Sequence, residues 1–256
     1  MTQDKQGKWR IGCAGWTITR DTVNAFPEEG SHLERYAQVF GGVEINSSFY
    51  RPHKPQTYAR WADSVPDDFR FSVKLPRTIS HDARLRDIAA PLSQFASEVS
   101  ALGGKLGCIL LQLPPKFAFE PDVAAGFFDR IADTFGCMIA LEARNPSWFA
   151  DEATGLMTAH GITRVIADPA KGQPGPHEPT TASIYARLHG APRVYYSSYS
   201  AEYLDDLGAD MAVHAEAGRD VWCIFDNTAS GASVPNALAL RAALGLTPGQ
   251  RPGLPA

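Results

Sequence analysis

Apolar residues fall along the chain in short runs that alternate with longer stretches of helical period. Eight runs have strand length: Arg10–Ala14, Val43–Asn46, Phe69–Leu75, Gly107–Leu113, Met138–Ala143, Thr163–Ala167, Ser183–His189 and Val221–Phe225. Between most of them apolar positions return every three or four residues, as in Leu33–Phe40, Thr57–Ser64, Leu92–Leu102, Asp122–Phe135, Ala150–His160, Ala201–Ala217 and Pro235–Leu244. Strand–helix alternation predicts a parallel sheet with helices outside it. Eight repeats without a second compositional zone predict closure into a single α/β (β/α)8 TIM barrel, with irregular repeats allowed. The alternative is a doubly wound open sheet. It normally carries a Gly-rich phosphate loop after an early strand, and Gly12-Cys13-Ala14-Gly15-Trp16 is not G-x-G-x-x-G.

Local signals agree with these elements. Ser31, followed three residues later by Glu34, reads as a capping box. Pro91 fits the first turn of a helix, and Ser147 or Asp151 is placed to cap the helix after the fifth strand. Two segments break the rhythm. Asp168–Ala182 is rich in Pro and Gly without a period, and is expected to be a functional lid or a mobile loop. Residues 246–256 hold three prolines and two glycines and are expected to be a flexible tail, leaving residues 1–245 as the barrel domain.

Composition narrows the class. The 256 residues are 44% hydrophobic and 20% charged, which suits a globular protein with a sizeable core. The net charge is −4 and no basic block is present, so duplex nucleic acid is a disfavoured partner. The polar start MTQDKQGKWR does not read as a signal peptide, and the run Cys108–Leu111 is too short to span a bilayer. A soluble, cytoplasmic protein without a membrane partner is therefore expected. Oligomeric state is not encoded in any pattern read here. Cys13, Cys108, Cys137 and Cys223 form no C-x-x-C pair and read as reduced, buried, small hydrophobes.

The candidate site follows from strand parity. Alternate residues of a barrel strand point inward, and those at the C-terminal end reach the open mouth. Parity then groups Glu44 with Asn46, Ser72 with Lys74, Glu142 with Arg144, and Tyr185 with Arg187 and His189. Gln112 ends the fourth strand, Asp168 the sixth, and Asp226-Asn227 the eighth. So many charged or amide endings are hard to explain by core packing, because a buried unpaired charge costs several kcal/mol. Any one pair, such as Glu142 with Arg144, also reads as a structural ion pair. Trp16, Tyr50 and Trp148 singly read as packing residues, and His81 as a loop histidine.

The runs IGCAGW, VEINSSFY, FRFSVKLPRTISH, LLQLPPKF, LEARNPSWF, YARLHG and FDNT occur in one order between Ile11 and Thr228. Together they resemble the YecE-like family, also called domain of unknown function 72. The resemblance implies a TIM barrel with a pocket at its C-terminal face and implies no reaction. Its motif positions here are Trp16, Glu44, Asn46, Tyr50, Lys74, His81, Gln112, Glu142, Arg144, Trp148, Arg187, His189 and Asn227. Asp226 departs from the family pattern, which favours Asn. That leaves open whether Asp226 or Asn227 points inward.

Three functions compete. The leading one is an enzyme for a small anionic substrate bearing phosphate or carboxylate. Glu44, Lys74, Glu142 and His189 would be its catalytic groups, and Arg144 and Arg187 its anion contacts. Lys74 is also a candidate Schiff-base lysine. The second is a divalent-metal hydrolase, lyase or isomerase using Glu44, Glu142, Asp168 and His189. It is disfavoured by the nearby arginines and the lack of tight metal spacings. The third is a module for a nucleotide or nucleic-acid end, with Trp16, Tyr50, Trp148 and Tyr199 as stacking platforms. No nucleotide-cofactor motif is present, and the cofactor is left unknown.

Overall fold

The computed structural model describes residues 7–246. The expected tail therefore lies outside the described residues, except for Leu246. Eight parallel strands follow in chain order: β1 (Trp9–Cys13), β2 (Gly42–Ile45), β3 (Arg70–Lys74), β4 (Leu106–Gln112), β5 (Met138–Glu142), β6 (Ile162–Asp168), β7 (Ile184–Leu188) and β8 (Val221–Phe225). Strands β2 to β8 pair in sequence order and β8 also pairs with β1, while β1 and β2 share no regular ladder. Seven α-helices wrap the outside: α1 (His32–Val39), α2 (Pro55–Asp63), α3 (Ala89–Val99), α4 (Pro121–Thr134), α5 (Asp151–Ala159), α6 (Ala201–Glu216) and α7 (Ser233–Ala243).

The helix starts show how sequence sets the elements. Ser31 accepts a bond from Glu34 N while the Glu34 carboxylate accepts from Ser31 N, so the capping box forms and opens α1. Pro121 opens α4 in its first turn, where its missing N–H costs nothing. Neither Ser147 nor Asp151 caps α5, which starts behind Ala150 without a side-chain cap. Asn145 caps the preceding short turn instead, accepting from Ser147 N at 3.1 Å.

Strand parity divides the apolar residues into two layers. Phe69, Phe71, Val73 and Leu75 face outward and join the large core under the helices. Leu110, Ala140, Val165, Tyr185, Trp222 and Ile224 fill the barrel interior. Trp222 stacks on Tyr185 with ring centroids 5.7 Å apart. Its indole needs glycine opposite: a Cβ at Gly107 would stand 2.9 Å from Trp222.

The seam between β1 and β2 is the irregular part of the barrel. It holds one bridge, between Ala14 and Glu44, and a bond from Gly15 N to Glu44 O. Below it the Tyr36 hydroxyl, delivered by α1, accepts from Cys13 N at 2.7 Å and donates to Gly42 O at 3.2 Å. One phenol thus supplies the link that a regular ladder would have made. The segment between β6 and β7 contains no α-helix. Thr180 accepts from Arg164 N and donates to Ile162 O, and Arg164 also bonds Glu178 O and Thr154. The irregular stretch expected as a lid or mobile loop is therefore also the β6–β7 crossover, tied along β6.

No helix of the described residues is long and apolar enough to cross a membrane. The four cysteines are free. Burial pushes the Cys13 and Cys223 thiols up to about 12, away from thiolate chemistry.

Candidate functional site at the barrel mouth

Inside the C-terminal end of the barrel lies an ionic network centred on Arg187. Its Nε and Nη2 donate to the two Glu44 oxygens at 2.9 and 2.6 Å. Nη1 donates to Glu142 Oε2 at 2.5 Å, and Nη2 also to Asp226 Oδ2 at 2.9 Å. Neither Arg187 nor Glu44 has any exposed surface. Tyr185 completes the floor, with its hydroxyl 3.1 Å from Glu44 Oε2 and 2.8 Å from Ser72 Oγ. Burial alone would strip the Arg187 charge, but Glu44, Asp226 and Glu142 outweigh it and hold the proton firmly.

His189 stands one layer higher, between two carboxylates. Nδ1 lies 3.0 Å from Asp226 Oδ2, and Nε2 lies 3.2 Å from Glu142 Oε1. Burial opposes the charged ring, yet Glu142 and the bonds to both acids prevail, and its pKa is raised above the ordinary value. Burial likewise opposes the Glu142 charge, but Arg187 and His189 draw its pKa well below the carboxylate range. Arg144 reaches the same Glu142 oxygen from the solvent side, Nη2 at 2.8 Å, with its side chain 17% exposed. A recess of about 250 Å³, counted with its opening, lies here beside Glu142, Arg144, His189, Pro169 and Lys171. Gly172 lies against this wall: a Cβ there would stand 2.4 Å from Arg144 O.

The opposite side of the mouth, on β2, β3 and β4, is built differently. Lys74 ends β3, is 6% exposed, and makes no side-chain hydrogen bond or ion pair among the described residues. Its Nζ lies over the Phe49 ring, 4.5 Å from the centroid. Burial, reinforced by Arg187, brings its pKa down to about 8 against the pull of Glu44, Asp226 and Glu142. Gln112 ends β4, buried, with Oε1 unpartnered. Asn46 follows β2 and leaves Oδ1 unpartnered, while Nδ2 is 3.5 Å from Asp226 Oδ1. Two amide oxygens without a hydrogen-bond partner thus lie on the same side of the mouth as the unpaired amine.

Several expected site residues take other roles. Arg187 and Glu44 are sealed, with their hydrogen-bonding atoms committed to each other and to neighbours. Trp148 is 1% exposed, packs against Phe117 and Phe119, and donates Nε1 to Phe117 O. Asn227 is buried and holds Ser197 O and Asn236, so Asp226 is the inward residue of that pair. Tyr199 donates to Asp168 Oδ1 and accepts from Gly190 N, locking the ends of β6 and β7. Trp16 is half-buried against Trp61. His81 stands edge-on to Phe49, and Tyr50, 76% exposed, also meets that ring edge-on. Three of the four stacking platforms are thus engaged in packing. Of the four residues of the metal alternative, Glu44, Glu142 and His189 meet around Arg187 and Asp168 does not join them. Asp168 is held by Tyr199, and the acid oxygens of Glu44 and Glu142 face cations. Among the described residues no group of three His, Cys, Asp or Glu side chains is placed to hold a metal ion.

Two neighbours of the mouth, Phe49 and Tyr195, are not read from the sequence, and Asp226 is left open against Asn227. Asp226 was legible from parity, since Trp222, Ile224 and Asp226 alternate inward. Phe49, under Lys74, lies outside any strand. Tyr195 stands edge-on to His189 at 5.7 Å with φ of 71°, a strained backbone that no residue pattern announces.

A nearly closed parallel barrel with its paired charges and the unpaired amine gathered at the C-terminal ends defines a (β/α)8-barrel protein. The chain belongs to the family described as protein of unknown function DUF72, whose model matches residues 10–256. The UPF0759 protein YecE of Escherichia coli K12 is 37% identical over 142 residues, covering 53% of this chain and 52% of that protein. That match spans about half the length of the relative. The UPF0759 protein YunF of Bacillus subtilis is 24% identical over 88% of this chain and 91% of its own. Among solved structures, a DUF72 family protein from Enterococcus faecalis superposes with a TM-score of 0.79 at 22% identity, covering 93% and 96% of the two chains. One from Thermotoga maritima gives 0.78 at 24% identity, covering 93% and 99%. These structures support the shared barrel.

Proposed function

We propose that the mouth binds a small anionic molecule, bearing phosphate or carboxylate, and transforms it by acid–base chemistry. The observation that carries this reading is Lys74: a cation nine-tenths buried at the mouth, in the field of Glu44, Asp226 and Glu142 but in ion-pair contact with none of them. The other basic side chains of the network, Arg144, Arg187 and His189, are each bonded to a carboxylate. A ligand anion at Lys74 would supply the missing counter-charge, with Gln112 and Asn46 beside it. Arg144 and Lys171 add positive charge at the recess on the far wall. His189, its pKa raised by the acids on either side, is the proton donor available there, with Glu142 holding the ring in place.

The test is a thermal-shift screen of phosphorylated and carboxylated metabolites against the wild-type chain and Lys74→Met. An anion that raises Tm in a dose-dependent way, with the effect lost in Lys74→Met, is the expected result. A panel without a single Lys74-dependent shift would count against the reading.

A further inference from the structure

We infer that Lys74 is a nucleophile that captures the carbonyl carbon of an anionic aldehyde or ketone as an iminium. This rests on the anionic-ligand reading above and names its substrate class. Three observations carry it.

First, the site's arginines are already consumed. Arg187 is enclosed by three carboxylates and Arg144 is bonded to Glu142, so anion recognition by paired guanidinium forks is not what this side of the mouth offers. The group left free is a primary amine, the kind of nucleophile that condenses with a carbonyl to a C=N bond. Second, the amine lacks the carboxylate partner that would fix its proton. It lies on the Phe49 ring instead, and its depressed pKa leaves a usable neutral fraction near neutral pH. Third, the neighbouring strands carry Asn46 and Gln112. Asn46 directly follows Ile45, the β2 residue paired with Val73, so the chain leaves β2 next to Lys74. The pairing of Lys74 with Leu110 places Gln112 one inward position above, on β4. Their orphaned oxygens would accept hydrogen bonds from hydroxyl groups flanking the carbonyl.

The step balances without a redox partner. The neutral Nζ attacks the carbonyl carbon, a C–N bond forms, and the C=O π pair moves to oxygen. A proton passes from nitrogen to that oxygen and gives a carbinolamine. The hydroxyl then leaves as water with one proton from solvent, and the nitrogen lone pair forms the C=N bond of a cationic iminium. That cation would draw electrons from an adjacent C–H or C–C bond, as a lyase or isomerase requires.

The experiment is borohydride reduction of the whole protein with pyruvate in one arm and dihydroxyacetone phosphate in the other. Intact mass and peptide mapping follow, and thermal shift with the same compounds runs in parallel. The two arms separate 2-oxo carboxylates from carbonyl phosphates. A borohydride-dependent adduct at Lys74, and not at exposed Lys54, Lys116 or Lys171, is expected in one arm. Lys74→Arg keeps the charge and should lose the adduct while retaining part of the thermal shift. It also serves if Lys74→Met fails to fold. Thermal shifts without any adduct at Lys74 would overturn this inference and leave the anion reading standing. Neither shift nor adduct would remove both.

Discussion

Arg187 and Glu44 meet through two parallel hydrogen bonds of 2.6 and 2.9 Å, with neither side chain exposed to solvent. The pair joins β7 to β2 across the barrel, and Glu142 and Asp226 bind the same guanidinium from β5 and β8. A fork of fixed N–H donors suits this task, where a lysine would not. The relationship separates the mouth into a sealed ionic foundation and an open amine beside it.

Arg187→Met should therefore be far more damaging than an ordinary core substitution. It leaves Glu44, Glu142 and Asp226 facing one another without their shared cation. Breaking one buried pair costs about 3–5 kcal/mol, so a marginally stable domain should unfold or lose most of its stability. Urea unfolding of the variant with a midpoint equal to the wild type would refute the structural role assigned here.

Lys74→Met should move stability the other way. Lowering the lysine pKa from 10.5 to about 8 amounts to on the order of 3 kcal/mol against folding at neutral pH. The sign follows from linkage: the unfolded chain holds this proton more tightly. The cost is full below about pH 8, shrinks as pH rises toward 10.5, and vanishes above it. Unfolding curves of variant and wild type should therefore differ most at pH 7 and converge toward pH 10.5. A constant difference would mean that the amine is not desolvated.

His189→Gln tests the opposite titration. The folded-state pKa of His189 is raised, so its charge stabilises the fold fully below the ordinary histidine value of 6.5. That contribution is lost as pH rises through the folded pKa. The variant should be clearly less stable than wild type at pH 5.5 and progressively closer to it at alkaline pH. Equal gaps at both ends would show that the ring is not charged between Glu142 and Asp226.

Tyr36→Phe removes one oxygen from the β1–β2 seam. Cys13 N–H and Gly42 C=O both lose their partner in a buried place. The expected loss is about 1–3 kcal/mol, with hydrogen exchange at the Cys13 amide accelerated ahead of the other strands. Unchanged protection of that amide would mean that the strands pair without the phenol.

Much of this protein was legible before any coordinates. Eight apolar runs with intervening helical periods are a direct consequence of strands buried on two faces beneath an outer layer of helices. Parity along those runs sorted Phe69, Phe71, Val73 and Leu75 outward, and Glu44, Lys74, Glu142, Arg187 and His189 inward. Two residues in this period put side chains on the same face whatever the neighbours are. What parity cannot give is the order in which inward groups find one another. Which cation pairs with which acid is settled by strand stagger and by distances across the barrel, between residues 143 positions apart for Glu44 and Arg187. Only the tertiary structure could therefore seal Arg187, turn Asp168 toward Tyr199, bury Trp148 and leave Lys74 alone. The sequence determined the barrel and the set of polar groups at its mouth; the closed structure decided which of them are spent on each other and which one is free.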